Sequence, residues 1–166
     1  MIAFEPYEPN TKILEKDREI NKLNNITIVD KVLSDSEGLV SFEQPENNKR
    51  GYGSASINPQ NVGDIKVPST TGDRFTERAA IQGPNIVKID VEGAEKLVID
   101  GMRDSLTASE CRVVYCEVHI EKNDYRPSVS EFGSEPANIK LTLENLGFDV
   151  EELFKREGEI MLKAKN

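Results

Sequence analysis

The sequence predicts an α/β fold built on a mostly parallel sheet, and three observations support this. Short apolar runs bounded by turn residues alternate with stretches of helical periodicity along most of the chain. Polar, mainly acidic residues follow the ends of four apolar runs, and open α/β sheets bind ligands at that edge. The last two runs alternate apolar and polar residues around a tight turn, which predicts a terminal antiparallel hairpin.

The first half of the chain is predicted to be strand, helix and strand, followed by an irregular segment. In order, its elements are a strand at 1–4, a helix at 11–23, a strand at 26–29 that continues toward 33, a turn at 34–38 and the start of a hairpin at 39–42. Residues 44–63 are rich in Asn, Gly, Ser and Pro and show no period. A connection of that length is expected to be mobile or to face a substrate.

The second half continues the alternation and ends in the hairpin. Its elements are an extended segment at 67–71, a helix at 72–80, a strand at 86–89, a helix at 93–101, a strand at 112–118, a helix at 135–146, and a hairpin of 148–154 and 159–165. Gly101 and Gly147 end two of these helices. At 166 residues and 37% hydrophobic composition, residues 1–166 are expected to form a single domain around one core.

Composition restricts the partners and the compartment. A formal net charge of -9 disfavours nucleic acid and anionic membranes, because their phosphates are repelled. No apolar run approaches the roughly 18 residues of a membrane span, and the start does not resemble a signal peptide. Cys111 and Cys116 lie five residues apart on one apolar run, so their side chains face opposite ways and favour reduced thiols. We therefore expect a cytoplasmic protein.

Two of the strand ends have the chemistry to hold a nucleoside. Glu5 follows the first strand, and its two carboxylate oxygens can accept both hydrogen bonds from a ribose diol. Alternatively, it starts a turn before Pro6. Ser34 and Asp35 follow a later strand, where Asp35 can accept a hydrogen bond from an adenine amine or form an ordinary turn.

The sharpest feature is the pair of carboxylates at the end of the strand 86–89. Asp90 and Glu92 lie on the same side of an extended chain, and Gly93 lets the backbone turn closely into the next helix. Glu92 is either a ligand or a cap of that helix, whose dipole favours negative charge. For Asp90 we favour a functional role, since a buried charge is costly.

Glu117 and His119 lie on one face of the next strand. His119 is the single histidine of the chain, which excludes a site with several histidines. Together with Asp90, these two residues could in principle bind a divalent ion, but the spacing is weak evidence and we expect no metal. His119 is either a structural residue whose ring nitrogens are hydrogen-bonded at the surface or in a pocket, or a general base. The near-neutral pKa of a histidine suits the second role.

The motifs occur in an order that resembles the FkbM-type S-adenosylmethionine-dependent methyltransferases. They are Ala3-Phe4-Glu5-Pro6, Val32-Leu33-Ser34-Asp35, Gly53-Ser54-Ala55-Ser56, Ile89-Asp90-Val91-Glu92-Gly93-Ala94-Glu95 and Glu117-Val118-His119. The likeness runs from Met1 to about Gly147, and the Ile89 to Glu95 block is its most diagnostic part. It implies a Rossmann-like sheet and O-methylation of a hydroxyl on a sugar or secondary metabolite.

The resemblance also implies roles for the candidate residues. The cofactor S-adenosylmethionine would contact Glu5, Ser34, Asp35 and Asp90, and the small-molecule acceptor would contact Glu92, Glu117, Ser54 and Ser56. Asp90 lies beside the transferred methyl group by this resemblance. Asp90 and His119 are the candidate catalytic residues, and the choice between them as proton acceptor stays open.

One family feature is not found in this sequence. The family begins with a strand and a glycine-rich loop that holds the methionine part of the cofactor, and nothing here supplies them. That strand would lie between the strands 1–4 and 86–89, so its absence would leave a sheet edge uncovered. We expect one of three outcomes: the sequence is a truncated form, another chain such as a second copy fills the gap, or the sheet closes in an altered register. The missing loop motivates an alternative hypothesis, a non-catalytic binding or assembly module descended from a methyltransferase. The carboxylate cluster motivates another, a metal-dependent hydrolase.

Overall fold

The computed structural model describes residues 1–43, 55–62, 65–121 and 126–166, and its elements confirm the α/β class. In chain order they are β1 (Ile2–Phe4), α1 (Glu8–Ile20), β2 (Thr27–Val29), β3 (Val32–Leu33), β4 (Gly38–Glu43), β5 (Ser56–Ile57), β6 (Lys66–Thr70), α2 (Gly72–Ala79), β7 (Ile86–Ile89), α3 (Glu95–Asp100), α4 (Arg103–Thr107), β8 (Val113–His119), a 3₁₀ helix (Val129–Phe132), α5 (Pro136–Asn145), β9 (Asp149–Arg156) and β10 (Glu159–Lys165). Residues 44–54 and 63 of the expected loop lie outside the described residues.

The described strands form three sheets, with the orders β1-β2, β3-β6-β4-β5 and β7-β8-β10-β9. The pairs β1-β2, β3-β6 and β7-β8 are parallel, and β10 is antiparallel to both of its neighbours. The terminal hairpin is thus confirmed. The expectation of one mostly parallel sheet is wrong for the described part, because chain reversals place antiparallel strands beside each parallel pair in the two larger sheets.

Two strands keep an unpaired edge within the described part of the chain. There, β1 pairs with β2 alone and β7 pairs with β8 alone. Ile86 on β7 is largely exposed, as is Met1 before β1. The resemblance places the family's first strand between these two strands, and among the described residues each of them has a free edge on which another strand could pair.

The main core lies between the β7-β8-β10-β9 sheet and helices α3 and α5. Its fully buried members include Ile89, Val98, Ile99, Leu106, Val114, Cys116, Val118, Ile139 and Leu143. Ile139 and Leu143 are four residues apart, so they lie on one face of α5 and pack inward together. Cys111 and Cys116 are buried free thiols, and burial raises the pKa of both. The prediction that they are not paired is confirmed.

Several element boundaries differ from the sequence-based expectation. Helix α1 begins at Glu8 rather than at residue 11, because Pro9 is accepted in a first helical turn. The expected strand 26–33 divides into β2 and β3, which join different sheets. Helix α4 and the 3₁₀ helix were not predicted, since neither is long enough to show a period.

Gly101, at the end of α3, lies directly against the end of β3. A Cβ added there would overlap the carbonyl oxygen of Ser34, and its own carbonyl accepts a hydrogen bond from the Asp73 amide at 3.1 Å. The position therefore needs a residue without a side chain. This contact joins the Ser34-Asp35 turn to the element that follows β7.

Candidate active site

The ends of β7 and β8 bring together the acidic residues that the sequence singled out. The two strands are parallel, with Ile89 opposite Cys116, so the residues that follow Ile89 lie beside Glu117 and His119. Single side-chain ligand atoms of Asp90, Glu117 and His119 lie within 4.8 Å of one another. The predicted cluster at this sheet edge therefore exists in the described structure.

Lysine and arginine side chains neutralise two of these carboxylates. The Lys88 ammonium lies 3.0 Å from Asp90 Oδ2 and 3.7 Å from Glu117 Oε2. Arg156 Nη2 donates to Glu117 Oε1 at 3.0 Å. The Asp90 side chain is 48% exposed, so the argument that its charge is buried is wrong. Carboxylates and a histidine are donors that a divalent ion accepts, but the cation that Asp90 and Glu117 contact is Lys88, and we assign no metal here.

His119 is buried between two glutamates, with 1% of its surface exposed. Its Nδ1 lies 2.6 Å from Glu95 Oε1, and its Nε2 lies 3.3 Å from Glu92 Oε2. Glu95 is fully buried, and the same Oε1 also accepts the backbone amides of Gly93 at 3.1 Å and His119 at 3.3 Å. The sequence reasoning gave Glu95 no role, although it was part of the diagnostic motif.

Glu92 turns toward His119 instead of capping the next helix. The N-cap residue of α3 is Ala94, which makes no side-chain capping bond. Glu92 has a left-handed φ of 47° and Gly93 a φ of 89°. A Cβ on Gly93 would meet the carbonyl carbon of Ser128 at 2.9 Å, so glycine is required there. The alternative that Glu92 is a helix cap is therefore wrong.

Burial sets the proton affinity of this pair. Desolvation raises the pKa of Glu92 to about 7, against the opposing charges of His119 and Arg126. Burial alone would lower the pKa of His119, but the hydrogen bond to Glu95 and the charges of Glu95 and Glu92 raise it above its ordinary value. The site therefore retains protons that such groups lose more readily in water.

Arginine and glutamate side chains from other segments surround Glu92 and His119. Arg126 Nη1 lies 3.8 Å from Glu92 Oε2 and hydrogen-bonds Glu159, which Arg156 also contacts. Burial would raise the pKa of Glu159, but the hydrogen bonds from the two arginines lower it to about 2. Sequence reasoning missed these residues because they lie on distant segments. Only the hairpin register, in which Glu159 faces His119, could have indicated one of them.

The residues expected to hold the cofactor make local hydrogen bonds. Glu5 accepts from the Tyr7 amide at 2.9 Å and from Asn10 Nδ2 at 3.2 Å. The exposed Asp35 accepts from the hydroxyls of Ser34 at 3.2 Å and Ser36 at 3.0 Å. These bonds match the turn alternatives for both residues. A carboxylate has about four acceptor sites, so each retains capacity for a ribose diol or an amine.

The remaining cofactor and acceptor candidates are less accessible. Ser34 is 3% exposed, and its amide donates to the Thr70 carbonyl at 3.0 Å. Ser56 is buried in β5, so its role stays a prediction. Ser54 lies outside the described residues. The described ranges also contain no strand followed by a glycine-rich loop that would hold the methionine part of S-adenosylmethionine.

The comparison with protein families decides the ancestry. The family model for the methyltransferase FkbM domain matches residues 1–150. The chain belongs to the FkbM methyltransferase family. The match includes every candidate residue except Arg156 and Glu159, which lie on the terminal hairpin.

Two known proteins resemble this FkbM-family chain. Over 99 residues it is 30% identical to the hexuronic acid methyltransferase AglP of Haloferax volcanii, a match that covers 60% of this chain and 40% of that protein. The crystal structure of methyltransferase FkbM from Methylobacillus flagellatus superposes with a TM-score of 0.61 at 12% identity. That match covers 98% of this chain and 36% of the other, and supports a common fold.

The FkbM-family chain thus spans well under half the length of both proteins. Within its described residues, no helix combines the length and the apolar character needed to cross a bilayer.

Proposed function

We propose that this chain carries the acceptor side of an S-adenosylmethionine-dependent O-methyltransferase that modifies a hydroxyl on a sugar or secondary-metabolite-like molecule. The observation that carries the proposal is the cluster of Asp90, Glu92, Glu117 and His119 at adjacent strand ends of an FkbM-family chain. Open α/β sheets bind their ligands at this edge. Methyl transfer asks mainly for alignment of the reactants, which a fixed set of polar groups provides.

In this proposal, S-adenosylmethionine supplies an electrophilic methyl group when it is bound. Glu5 would accept hydrogen bonds from the ribose diol, Asp35 would accept one from the adenine amine, and Ser34 would line the same side. Asp90, at the end of β7, would face the reacting centre. The methionine part would need groups beyond those described, so we expect weaker binding by this chain than by a protein with the complete loop.

The acceptor class follows from the site chemistry and from the relative. Carboxylates and a histidine accept hydrogen bonds from hydroxyls, and sugars present several hydroxyls. AglP is named for a hexuronic acid, and we extend that substrate class to this chain. Glu92 and Glu117 would bind acceptor hydroxyls, and the family resemblance adds Ser54 and Ser56 as further candidates.

Two further expectations belong to this proposal. The buried free thiols Cys111 and Cys116 favour a reducing compartment, so we place the protein in the cytoplasm. The unpaired edge of β7 would be covered by a second copy of the chain. Gel filtration with light scattering tests that copy number.

Calorimetric titration with S-adenosylmethionine and with its demethylated product tests cofactor binding directly. We expect Kd values in the millimolar range, and a Glu5→Gln variant that binds about 10-fold more weakly, because it loses a charged acceptor. The exposed Glu152→Gln variant is the matched control. Absence of heat at millimolar ligand would exclude independent cofactor binding and favour the non-catalytic module.

Product formation is the second test. The chain is incubated with S-adenosylmethionine and glucuronic acid, as a simple hexuronic acid, and the sugar is analysed by mass spectrometry. A mass increase of one methylene unit on an oxygen supports the proposal. Methylation that does not depend on Asp90, judged with an Asp90→Asn variant, would contradict the assigned site.

A further inference from the structure

The inference concerns the proton that a hydroxyl must lose, and it rests on the proposed function. We propose that Glu92 is the group that accepts this proton, and that Glu95 and His119 position it through a buried Glu95–His119–Glu92 line. The sequence pointed to Asp90 or His119 for this step.

Access excludes His119 as the direct proton acceptor. The ring is 1% exposed, and each nitrogen has a carboxylate oxygen beside it, at 2.6 Å from Glu95 and 3.3 Å from Glu92. A hydroxyl could reach either nitrogen only by displacing a glutamate. The Glu92 side chain is 14% exposed, so it is the member of the line that a ligand can contact.

The other carboxylates of the cluster already have cationic partners. Asp90 is paired with Lys88, and Glu117 with Arg156 and Lys88. These cations compete with a hydroxyl for the lone pairs. Glu92 Oε2, in contrast, is a buried oxygen without a hydrogen bond of proper geometry among the described residues, although His119 and Arg126 lie within 4 Å. A buried acceptor left in this state is costly and points to a functional use of the carboxylate. Because Oε2 faces the His119 ring, a hydroxyl would approach Glu92 from the exposed side of its side chain.

The backbone is strained where it directs Glu92 into this position. A non-glycine residue in the left-handed region costs about 1 kcal/mol or more and is uncommon away from turns rich in Asn, Asp or Gly. The φ of 47° at Glu92 and of 89° at Gly93 place consecutive residues there. Such strain is maintained when the surrounding structure requires it, and it is concentrated at functional sites.

The charged groups around Glu92 come from β8, from the segment before the 3₁₀ helix, and from the residues just before and after Glu92 in the chain. It is faced by His119 from β8, by Arg126 from the segment before the 3₁₀ helix, and by Asp90 and Glu95 from its own segment. Burial outweighs the two cations and raises the pKa of Glu92 to about 7. A general base whose pKa lies near the working pH combines a useful unprotonated fraction with a strong affinity for the proton.

The proposed step is balanced as follows. The oxygen of the acceptor hydroxyl forms a bond to the methyl carbon, and the electron pair of the broken carbon–sulfur bond stays on the donor sulfur. The O–H proton passes to the Glu92 carboxylate. His119, held by Glu95, keeps its Nε2 at 3.3 Å from Glu92 Oε2, where a protonated ring stabilises the carboxylate by charge before transfer. Glu95 and His119 are thus positioning residues, and Glu92 alone touches the reacting hydroxyl.

Because His119 is the single histidine of the chain, NMR can measure its protonation within the Glu95–His119–Glu92 line, without cofactor or turnover. Long-range ¹H–¹⁵N spectra report which ring nitrogens of His119 carry protons, and no other histidine overlaps. In the wild-type chain we expect the His119 ring to titrate with a pKa above its ordinary value. Its signals should also show a second step around pH 7, caused by the ionisation of Glu92. Glu92→Gln should remove that second step and lower the midpoint of the ring titration by about one pH unit.

Matched variants separate this line from general structural effects. Glu95→Gln should lower the His119 midpoint further than Glu92→Gln does, because Glu95 makes the closer contact. Glu152→Gln, exposed on β9, should change nothing. An unchanged His119 titration in Glu92→Gln would overturn the proposal. Selective broadening of the ring signals by micromolar Mn²⁺ would also overturn it, in favour of a metal site.

Kinetics with glucuronic acid as the probe complete the test. Glu92→Gln should lower kcat about 100-fold or more with a small change in KM, and Glu92→Asp should restore part of the loss. An unchanged kcat in Glu92→Gln would exclude Glu92 as the proton acceptor and would leave the proposed function intact. If no variant transfers a methyl group although the NMR titrations are as expected, both the proposed function of this chain and the proton-transfer step are refuted. Glu95, His119 and Glu92 would then form a buried set of charge contacts without a catalytic role.

Discussion

Replacing Glu92 by glutamine is expected to stabilise the folded chain above neutral pH. Burial raises the pKa of this carboxyl from its ordinary 4.5 to about 7, so the folded state holds the proton more tightly than the unfolded state does. Stability from this group is therefore fully present below pH 4.5 and is lost as the pH rises through 7. Glutamine has no charge to lose and should avoid that penalty.

The magnitude follows from the two pKa values. The interval between 4.5 and about 7, at about 1.4 kcal/mol per pH unit, gives about 3 kcal/mol as an upper value. Partial contact with water reduces it, since 14% of the side chain is exposed. We expect Glu92→Gln to be more stable by about 2 kcal/mol at pH 8 and equal to wild type near pH 4.5. For a chain of this length, that corresponds to a rise in Tm of roughly 4–8 °C.

Urea unfolding followed by circular dichroism at pH 5 and pH 8 measures this difference, with Glu152→Gln as the control. A variant that is less stable than wild type at pH 8 would refute the reasoning, because it would show that the charged form is the favoured one. So would an equal difference at both pH values. A gain in stability together with a loss of methyl transfer would mark Glu92 as a residue kept for function.

Three further predictions concern the core, the turn beside the site and the Glu159 ion pairs. Leu143→Ala should lower the unfolding free energy by about 2–5 kcal/mol with an unchanged urea m-value, since Leu143 is fully buried. Gly93→Ala should cost about 3 kcal/mol in thermal unfolding because of its positive φ and the contact with Ser128, whereas Gly147→Ala, with a similar φ and open space, should cost about 1 kcal/mol. Glu159→Gln should lose about 2 kcal/mol at pH 7 and show a smaller loss of stability than wild type between pH 4.5 and 2, because the pKa of Glu159 is lowered to about 2 and its contribution disappears as it is protonated.

Local sequence patterns were sufficient for much of the fold. The strand at 86–89 and the final hairpin have clear apolar periods and turn residues, and β7, β9 and β10 appear where these patterns predicted them. The mixed direction of the sheets was not predictable in the same way. It depends on which strands become neighbours, and β6, for example, pairs with β3 on one side and with β4 on the other.

The candidate site was predictable only in part, for a related reason. Asp90, Glu117 and His119 could be grouped because parallel strands end at one edge of a sheet. Lys88, Arg126 and Arg156 were missed because their roles depend on side-chain directions and on contacts between distant segments. The exposure of Asp90 was misjudged in the same way, since an apolar strand before a residue does not show how deep its end lies.

Gly101 has a consequence for how this fold can change. The Ser34-Asp35 turn and the element after β7 approach each other across a point where one of them has no side chain. Any side chain at that point would have to displace the Ser34 carbonyl, so substitution can move the two segments apart and cannot bring them closer. The spacing between the turn that carries the proposed adenine-side residues and the end of α3 can therefore evolve in one direction only.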